Sequence, residues 1–551
     1  MPGLPDTVFV GGSVFSAGMT APRRAGVAVQ GGRIAAIGPD DELRELAGAS
    51  TEVVDLAGGL LLPGFQDAHV HPVMAGVGML RCELHGTGSA EEALQRVAAY
   101  AAAHPEAEWI VGGGWSMAHF PGGTPTRQLL DAIVPDRPVS LNNRDGHGSW
   151  VNTVALARAG VDADTPDPAD GRIEREADGT PSGTLHEGAC DLVDRLLPTT
   201  TAAEQYAGLL VAQRELFSFG ITAWQDAAVG AMFGNEDLLP VYLRAAADGD
   251  LKARVVGALW WDRMRGSEQI AELVERRDGG ATGRFRAAAV KIMQDGVAEN
   301  FTAAMTEPYL DGCGCETGNS GLSFVDPVAL REYVTRLDAE GFQVHFHSLG
   351  DRAVREALDA VEAAREANGP SDNRHHLAHL QLVHPDDLAR FARLDATANA
   401  QPLWAAHEPQ MDELTIPFLG DRRAAWQYPF ADLLRAGSRL AAGSDWPVSS
   451  PDPLAGIHVA VNRSAPGATG AEAEPLYPHN RITLAEALSA YTAGTARVLH
   501  HDDITGHLRV GAQADVVVLD RDPFSAGAEH IAETRVSRTY VAGELVHHAQ
   551  A

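Results

Sequence analysis

The sequence predicts an α/β fold: a (β/α)8 TIM-like barrel with a long insertion after its first strand, plus a small β-sandwich domain built from both termini. Two observations predict the barrel. From residue 69 onward, short apolar segments alternate with amphipathic helical patterns, which is typical of βα units around a parallel sheet. With 551 residues, the chain also exceeds the length that one hydrophobic core usually supports. The third observation concerns the termini, where short apolar runs alternate with glycine-rich turns and predict hairpins.

These patterns also predict the domain bounds. Residues 1–62 and 501–551 are expected to form the two parts of the small β-domain, and residues 63–500 the barrel that they enclose. The insertion is predicted at about residues 81–200. An insertion of that length at the loop end of a barrel usually forms a lid or a wall of the substrate pocket.

Eight apolar segments are the predicted barrel strands. They are residues 64–71, 220–226, 253–261, 287–294, 341–347, 375–382, 395–401 and 439–445. The helices between them are expected to pack on the sheet through Ala, Leu and Val spaced by three and four residues, as in residues 351–365.

Composition argues against several classes of partner. The chain has 43 Lys and Arg against 74 Asp and Glu, a formal net charge of -31, so nucleic acid and anionic membrane surfaces are not expected partners. Four scattered cysteines do not make a disulfide framework, and no apolar run is long enough for a membrane span or a signal peptide. We therefore expect a cytoplasmic protein that acts on a small molecule, with a homodimer as the commonest oligomeric state.

The first candidate site lies at the end of the first predicted strand. His69 and His71 are two residues apart, so in an extended strand their side chains point to one face and can bind one metal ion together. In a parallel barrel they would lie at the mouth, where the catalytic loops gather. Two surface histidines flanking a valine would give the same pattern, so the remaining ligands have to come from elsewhere in the chain.

Four later strands each end with a residue that can bind or bridge a metal: Lys291, His347, His379 and Asp445. Lys291 lies inside an apolar strand, where a charged ammonium is costly to bury without a partner. A lysine with a lowered pKa can react with carbon dioxide to give a carbamate, which bridges two cations as a carboxylate does. An interior salt bridge with Asp295 is the alternative.

Within two of these strands the choice of ligand rests on position. His347 is preferred over His345 because it adjoins the turn, and His379 over the two histidines at the start of its segment because it is nearest the carboxyl end. Asp445 follows a glycine turn and does not begin an obvious helix. A base that accepts a proton from water is therefore favoured there over a helix N-cap.

The insertion contributes three candidate substrate contacts, Trp115, Arg144 and His147, although a structural role is equally compatible with each pattern. Cys313 and Cys315 stand among glycines and are interpreted as part of a loop.

Five motifs in fixed order resemble the amidohydrolase superfamily. They are Pro-Gly-Phe-Gln-Asp-Ala-His-Val-His (63–71), Val-Lys-Ile-Met-Gln-Asp-Gly (290–296), His-Ser-Leu-Gly-Asp-Arg-Ala-Val (347–354), His-Leu-Gln (379–381) and Gly-Ser-Asp-Trp-Pro (443–447). The similarity extends over nearly the whole chain and is closest to the amidohydrolase 3 subgroup, the metal-dependent hydrolases of the YtcJ and N-substituted formamide deformylase type.

The resemblance implies a ligand set and an activity. His69 and His71 would bind the first metal, carboxylated Lys291 would bridge, His347 and His379 would bind the second, and Asp445 would be a ligand and a proton shuttle. Zinc is the default for such a set, with two ions per chain. The implied activity is hydrolysis of carbon–nitrogen bonds other than peptide bonds by a metal-activated hydroxide. A metal-assisted isomerase or decarboxylase, and a non-catalytic binding or regulatory protein, remain alternatives on the same scaffold.

Overall fold

The computed structural model of the chain describes residues 4–231 and 236–549. Its strands fall, in chain order, into the N-terminal part, the first barrel strand, the insertion, the rest of the barrel and the C-terminal part. The N-terminal strands are β1 (Thr7–Val10), β2 (Ser13–Val14), β3 (Arg23–Arg24), β4 (Gly26–Gln30), β5 (Arg33–Gly38), β6 (Glu52–Asp55) and β7 (Leu60–Pro63), followed by the first barrel strand, β8 (Phe65–Val70). The insertion contains β9 (Cys82–Glu83), β10 (Ile110–Trp115), β11 (Val139–Asn143), β12 (Gly148–Val151), β13 (Gly171–Arg175) and β14 (Pro181–Glu187). The rest of the barrel contains β15 (Ile221–Val229), β16 (Arg254–Trp260), β17 (Ala281–Thr282), β18 (Phe285–Met293), β19 (Gln343–Ser348), β20 (His376–His379), β21 (Thr397–Ala400) and β22 (Arg439–Ala442), and the C-terminal strands are β23 (Val516–Leu519), β24 (Val536–Val541) and β25 (Glu544–His548).

The α-helices lie mostly between barrel strands. They are α1 (Asp40–Leu46), α2 (Pro72–Met79), α3 (Ala90–Ala103), α4 (Arg127–Asp131), α5 (Thr153–Ala159), α6 (Asp191–Asp194), α7 (Ala202–Ser218), α8 (Leu239–Ala247), α9 (Ile270–Asp278), α10 (Pro327–Ala339), α11 (Asp351–Asn368), α12 (Leu388–Arg393), α13 (Pro409–Leu414), α14 (Gly420–Ala424), α15 (Phe430–Arg435), α16 (Pro453–Asn462), α17 (Leu484–Ser489) and α18 (Thr495–Val498). Within the described part of the chain, none of these helices combines the length and the apolarity that a bilayer span requires.

The predicted barrel is confirmed. Strands β8, β15, β16, β18, β19, β20, β21 and β22 pair in parallel in this order, and each of the eight predicted segments overlaps one of them. Beyond the strand ends, the Asp445 amide donates to the His69 carbonyl (2.7 Å) and the His71 amide donates to the Trp446 carbonyl (2.9 Å). These two hydrogen bonds join the first and last strands at the mouth of the barrel.

The helices cover the barrel as their apolar spacing predicts. Helix α11 has an apolar stripe in which Val354, Leu358 and Val361 are fully buried against the sheet. Helix α7 begins with a capping box in which the side chains of Thr201 and Glu204 satisfy each other's backbone amides. Burial of these stripes supplies most of the driving force that holds the helices on the sheet.

Both ends of the chain form one β-sandwich, as predicted. Strand β23 pairs antiparallel with β7, so the C-terminal segment extends a sheet that the N-terminal segment begins (order β25-β24-β23-β7-β2-β3). A second sheet (order β5-β4-β1-β6) faces it across a shared apolar core. Phe9 from the second sheet and Tyr540 from the first meet in that core edge to face, with ring centroids 5.1 Å apart.

The insertion has a sheet of its own, with strand order β13-β14-β12-β11-β10-β9. Two small apolar clusters lie against it, one around Trp115 and Trp150 and the other around Leu185 and Val193. The insertion is therefore a folded layer on the barrel rather than an irregular loop.

The buried carboxylate of Asp67 links the first strand of the barrel to the loop after the last strand. Asp67 in β8 is fully buried and accepts hydrogen bonds from the His69 amide (2.9 Å), the Ser444 amide (3.1 Å to each oxygen) and the Ser444 hydroxyl (2.6 Å). Gly443 allows this approach, because a Cβ at that position would lie 2.6 Å from the His69 amide nitrogen. One side chain thus links the first strand to the loop after the last.

Replacing Asp67 with Ala is expected to destabilise the barrel, because the mutation leaves three buried donors without an acceptor. The expected cost is about 3 kcal/mol, which corresponds to a fall of roughly 3 °C in melting temperature for a domain of this size. Calorimetry of Asp67→Ala beside Asp41→Ala, an exposed aspartate in α1, would measure it. Equal melting temperatures for the two variants would contradict a structural role for Asp67.

Candidate metal centre

All six predicted ligands lie at the carboxyl ends of barrel strands, as the parallel sheet requires. His69 is the second-last residue of β8, and His71 directly follows the end of that strand at Val70. The others are Lys291 in β18, His347 in β19, His379 at the end of β20 and Asp445 three residues after β22. Each comes from a different strand, apart from the His69 and His71 pair, so the barrel brings together residues that are far apart in sequence.

The distances show one compact cluster. Asp445 Oδ1 lies 3.2 Å from His69 Nε2 and 3.1 Å from His71 Nε2, and Asp445 Oδ2 lies 3.9 Å from His379 Nδ1. The Lys291 amine is 3.4 Å from His69 Nε2. The ring centroid of His347 is 4.5 Å from that of His379. Donor atoms of His69, His379 and Asp445 all lie within 4.8 Å of one another, the spacing that ligands of one metal ion show.

Two members of the cluster have unusual backbone conformations. His379 has φ 78° and Asp445 has φ 56°, in the left-handed region that residues other than glycine rarely adopt. Such conformations cost free energy and are found where the surrounding structure holds a side chain for function. They occur at the last residue of β20 and at the third residue after β22.

Burial dominates the electrostatics of the cluster. It lowers the pKa of His69 to about 3 and that of Lys291 to about 7, and it holds the pKa of His379 well below its usual value. Burial would raise the pKa of Asp445, but the charge and hydrogen bonds of His69, with a hydrogen bond from His71, hold that pKa well below its usual value. The imidazoles of His69 and His379 are therefore neutral and the carboxylate of Asp445 is ionised at neutral pH.

This donor set fits divalent metal ions. Neutral imidazole and ionised carboxylate are the protonation states that bind a metal. His379 is 1% exposed, and neither of its ring nitrogens has a hydrogen-bond partner among the described residues, an arrangement that is costly unless a ligand satisfies them. Its ring stacks on Trp404, with an interplanar angle of 5° and centroids 5.2 Å apart, and this contact fixes its orientation.

Three neighbours that the sequence did not single out as functional support the cluster. His345 Nε2 lies 2.8 Å from His69 Nδ1, so the other nitrogen of His69 faces Lys291 and Asp445. Asp295, considered above as a partner for Lys291, instead accepts from the amides of residues 304, 349 and 350 and lies 3.3 Å from His347 Nδ1. Asp67, the third, holds the backbone of His69. The spacing of two residues between Asp67 and His69, and between His345 and His347, could have indicated that each pair shares a face.

Of the three candidate substrate contacts, Trp115 is placed in the core of the insertion. It is fully buried, its indole donates to the Leu141 carbonyl (2.8 Å), and its ring lies 5.6 Å from that of Phe120 and 6.1 Å from that of Trp150. These contacts give Trp115 a packing role.

Arg144 and His147 lie nearer the barrel mouth. Arg144 donates to the Gln410 side chain (3.0 Å) and pairs with Glu408 (3.4 Å), and these contacts join the insertion to the start of α13. His147 Nδ1 is 3.0 Å from both carboxylate oxygens of Glu187, and its ring centroid is 5.4 Å from that of His347. Of the three, His147 is the one with a direct ring contact to a predicted ligand.

Replacing Trp115 with Phe is expected to lower the stability of the insertion without changing substrate affinity. The variant keeps an aromatic ring in the cluster but leaves the Leu141 carbonyl without its donor, a loss of about 1 to 3 kcal/mol. Melting temperature and KM, measured on the same preparation, separate the two roles. A raised KM with an unchanged melting temperature would show instead that Trp115 contacts the substrate.

Comparison with known proteins agrees with the geometry. A family model described as "Amidohydrolase family" matches residues 52–547, nearly the whole chain. The chain belongs to the amidohydrolase family. This membership confirms the resemblance drawn from the five motifs, and it supports a hydrolase activity.

Three relatives match over almost their full lengths. The chain is 30% identical to the protein LONG AFTER FAR-RED 3 of Arabidopsis thaliana, covering 99% of this chain and 92% of the relative. It is 29% identical to the putative amidohydrolase YtcJ of Bacillus subtilis (98% and 99%) and 29% identical to the N-substituted formamide deformylase of Arthrobacter pascens (94% and 94%). The similarity therefore includes the terminal strands and the insertion as well as the barrel.

A solved structure shows the same architecture. The crystal structure of an uncharacterized metal-dependent hydrolase from Pyrococcus furiosus superposes with a TM-score of 0.71 at 27% identity, covering 94% of this chain and all of that one.

Proposed function

We propose that this protein hydrolyses carbon–nitrogen bonds, other than peptide bonds, in a small molecule at a centre of two divalent metal ions, with zinc as the expected metal. The observation that carries the proposal is the meeting of six potential ligands, from five barrel strands, in one cluster that includes the ionised carboxylate of Asp445. A purely structural role would not require so many buried imidazoles, because each leaves a polar ring nitrogen to be satisfied.

In this proposal His69 and His71 would hold one ion, His347 and His379 would hold the other, and Asp445 would be a further ligand. Lys291 would bridge the ions as a carbamate. Lys291 is 2% exposed and the pKa of its amine is lowered to about 7, so a large fraction of the amine is neutral at neutral pH and can add carbon dioxide with release of one proton. The carbamate places a negative charge where the free ammonium would repel a cation.

The bound ions would polarise the substrate carbonyl and make water acidic enough to attack it near neutral pH. The residues of the chain supply the proton transfers. Asp445, held by His69 and His71, accepts a proton from the attacking water at a carboxylate oxygen and returns it to the departing nitrogen as the carbon–nitrogen bond breaks. Trp404 covers His379 and excludes water from that side of the cluster.

A panel of substrates tests the proposal. Metal-replete protein would be incubated with N-formyl, N-acyl and cyclic amide compounds and with esters, and release of amine or acid would be followed. Turnover of at least one class of amide that is lost in Asp445→Asn is expected. Metal binding without turnover of any compound would contradict a hydrolase, and preference for esters would contradict the carbon–nitrogen assignment.

We also propose a cytoplasmic location and a homodimer. All four cysteines are free, and Cys82 and Cys190 are buried, which suits a reducing compartment. Light scattering after gel filtration would give the oligomeric state, and the net charge of -31 leads us to expect no binding to DNA in the same buffer.

A further inference from the structure

A pair of largely buried residues from the insertion lies beside the metal centre. His147 precedes β12, and Glu187 is the last residue of β14. The carboxylate of Glu187 lies 3.0 Å from His147 Nδ1 through both of its oxygens, and the Glu187 amide donates to the His147 carbonyl (3.0 Å). The position of His147 is therefore fixed through both its imidazole and its backbone carbonyl.

Glu187 is itself held from the barrel side. It accepts hydrogen bonds from the Thr302 hydroxyl (2.7 Å) and the Asn300 amide group (3.3 Å), both in the loop that follows the strand of Lys291. Gly296 in that loop admits the carboxylate, since a Cβ there would lie 2.5 Å from Glu187 Oε1. Glu187 also has φ 50°, a strained conformation that the surrounding contacts maintain. The pair is thus positioned from both the insertion and the barrel.

The contacts with Glu187 involve only one of the two ring nitrogens of His147. Because Nδ1 is engaged by Glu187, Nε2 is the nitrogen free to meet a ligand. The side chain of His147 is 11% exposed and that of Glu187 is 5% exposed, so the histidine is the accessible member. Its ring lies 5.4 Å from that of His347, close enough for a small molecule at the metal centre to touch both.

We propose that His147 is a catalytic residue that binds the substrate through Nε2, and that Glu187 is the residue that positions it. The inference rests on the proposed hydrolase function and adds to it a group from outside the barrel. A carboxylate-supported imidazole can hydrogen-bond the substrate at the carbonyl or at the departing nitrogen, on the side of the site nearest His347. The insertion would then complete the site as well as cover it.

The same sheet supplies a matched control. His186, also in β14, pairs with Glu174 at 3.1 Å, and Glu174 is bound in turn by Arg172 on the neighbouring strand. Successive residues of a strand point to opposite faces, so this second pair is directed away from Glu187. His186→Gln removes a histidine–glutamate pair of the same kind without touching the proposed one.

The experiment compares His147→Gln, Glu187→Gln, the double variant and His186→Gln. We expect His147→Gln to lower kcat/KM by about 100-fold, with metal content and melting temperature close to those of the wild type. Glu187→Gln is expected to lower kcat/KM by roughly tenfold, and the double variant to be no worse than His147→Gln, because the two residues act as one unit. His186→Gln should leave kcat and KM unchanged.

Three results would overturn the inference. They are a kcat/KM for His147→Gln within twofold of the wild type, multiplicative losses in the double variant, and a loss that only parallels a fall in melting temperature, which would mark a structural tie between insertion and barrel. If the wild type turns over no compound of the panel, the proposed function fails, and the pair is tested by calorimetric titration of metal-replete protein with acetohydroxamate. About tenfold weaker binding by His147→Gln would then support the contact, and equal affinity would refute it.

Discussion

Asp445→Asn is expected to lower kcat by about 1,000-fold while leaving the barrel folded, because amide and carboxylate have the same shape but differ in proton affinity. The carboxylate lies within 3.2 Å of both His69 and His71 and is ionised in spite of its burial. An amide at this position can still occupy the space and contact the imidazoles, but it cannot accept a proton from water. The measurement is steady-state kinetics together with metal content by mass spectrometry.

Metal content decides how a loss of activity in that variant is interpreted. If Asp445→Asn retains both ions and loses turnover, proton transfer is the function removed. If it loses an ion as well, the ligand role dominates. Asp452→Asn, a change of the same kind at the N-cap of α16 a few residues later, is the control and should retain most of its activity. An Asp445→Asn variant with wild-type kcat would refute the assignment.

Lys291→Ala is expected to lose about half of the bound metal and to lower kcat by about 1,000-fold, since removing the bridging group leaves the two sites without a shared ligand. The truncation also opens a space the size of the lysine side chain. A short carboxylic acid such as propionate can enter that space and replace the carbamate. We therefore expect partial recovery of metal and activity when propionate is added, and none with propionamide.

The composition of the chain makes the carbamate itself observable. Lysine occurs at two positions only, Lys252 and Lys291, and the first is on the surface with its amine 3.5 Å from Glu544. Protein equilibrated with 13C-labelled bicarbonate should show one carbamate carbon resonance, present in Lys252→Arg and absent in Lys291→Ala. A resonance that persists without Lys291, or its absence from the wild type, would contradict the bridging role.

The barrel and the cluster could be predicted because each leaves a local pattern. A buried parallel strand is a short apolar run, and a ligand at its end is a polar residue following that run, as with Lys291 and His379. The supporting contacts leave no such pattern. Nothing near Asp295 in sequence indicates that it accepts from residues 304, 349 and 350, because those partners are brought to it by loops whose paths depend on the complete fold.

The insertion shows the same limit. The sequence around Trp115 and His147 is rich in glycine and aromatic residues, and by itself it does not distinguish a ring packed in a core from one that faces a substrate. That distinction depends on which face of the sheet covers the barrel. Glu187, the partner of His147, is 40 residues away and had no feature that marked it.

The contact between the first and last barrel strands has a consequence for folding during synthesis on the ribosome. Ser444 and Asp67 are 377 positions apart in the sequence. The separation between β7 and its antiparallel partner β23, near the C-terminus, is even larger. For most of translation, His69 and His71 therefore lack the carboxylate of Asp445. The sheet that contains β7 keeps an unpaired edge until β23 is made. Premature termination anywhere before residue 445 should therefore yield chains that are both inactive and prone to aggregate, however much of the barrel they contain.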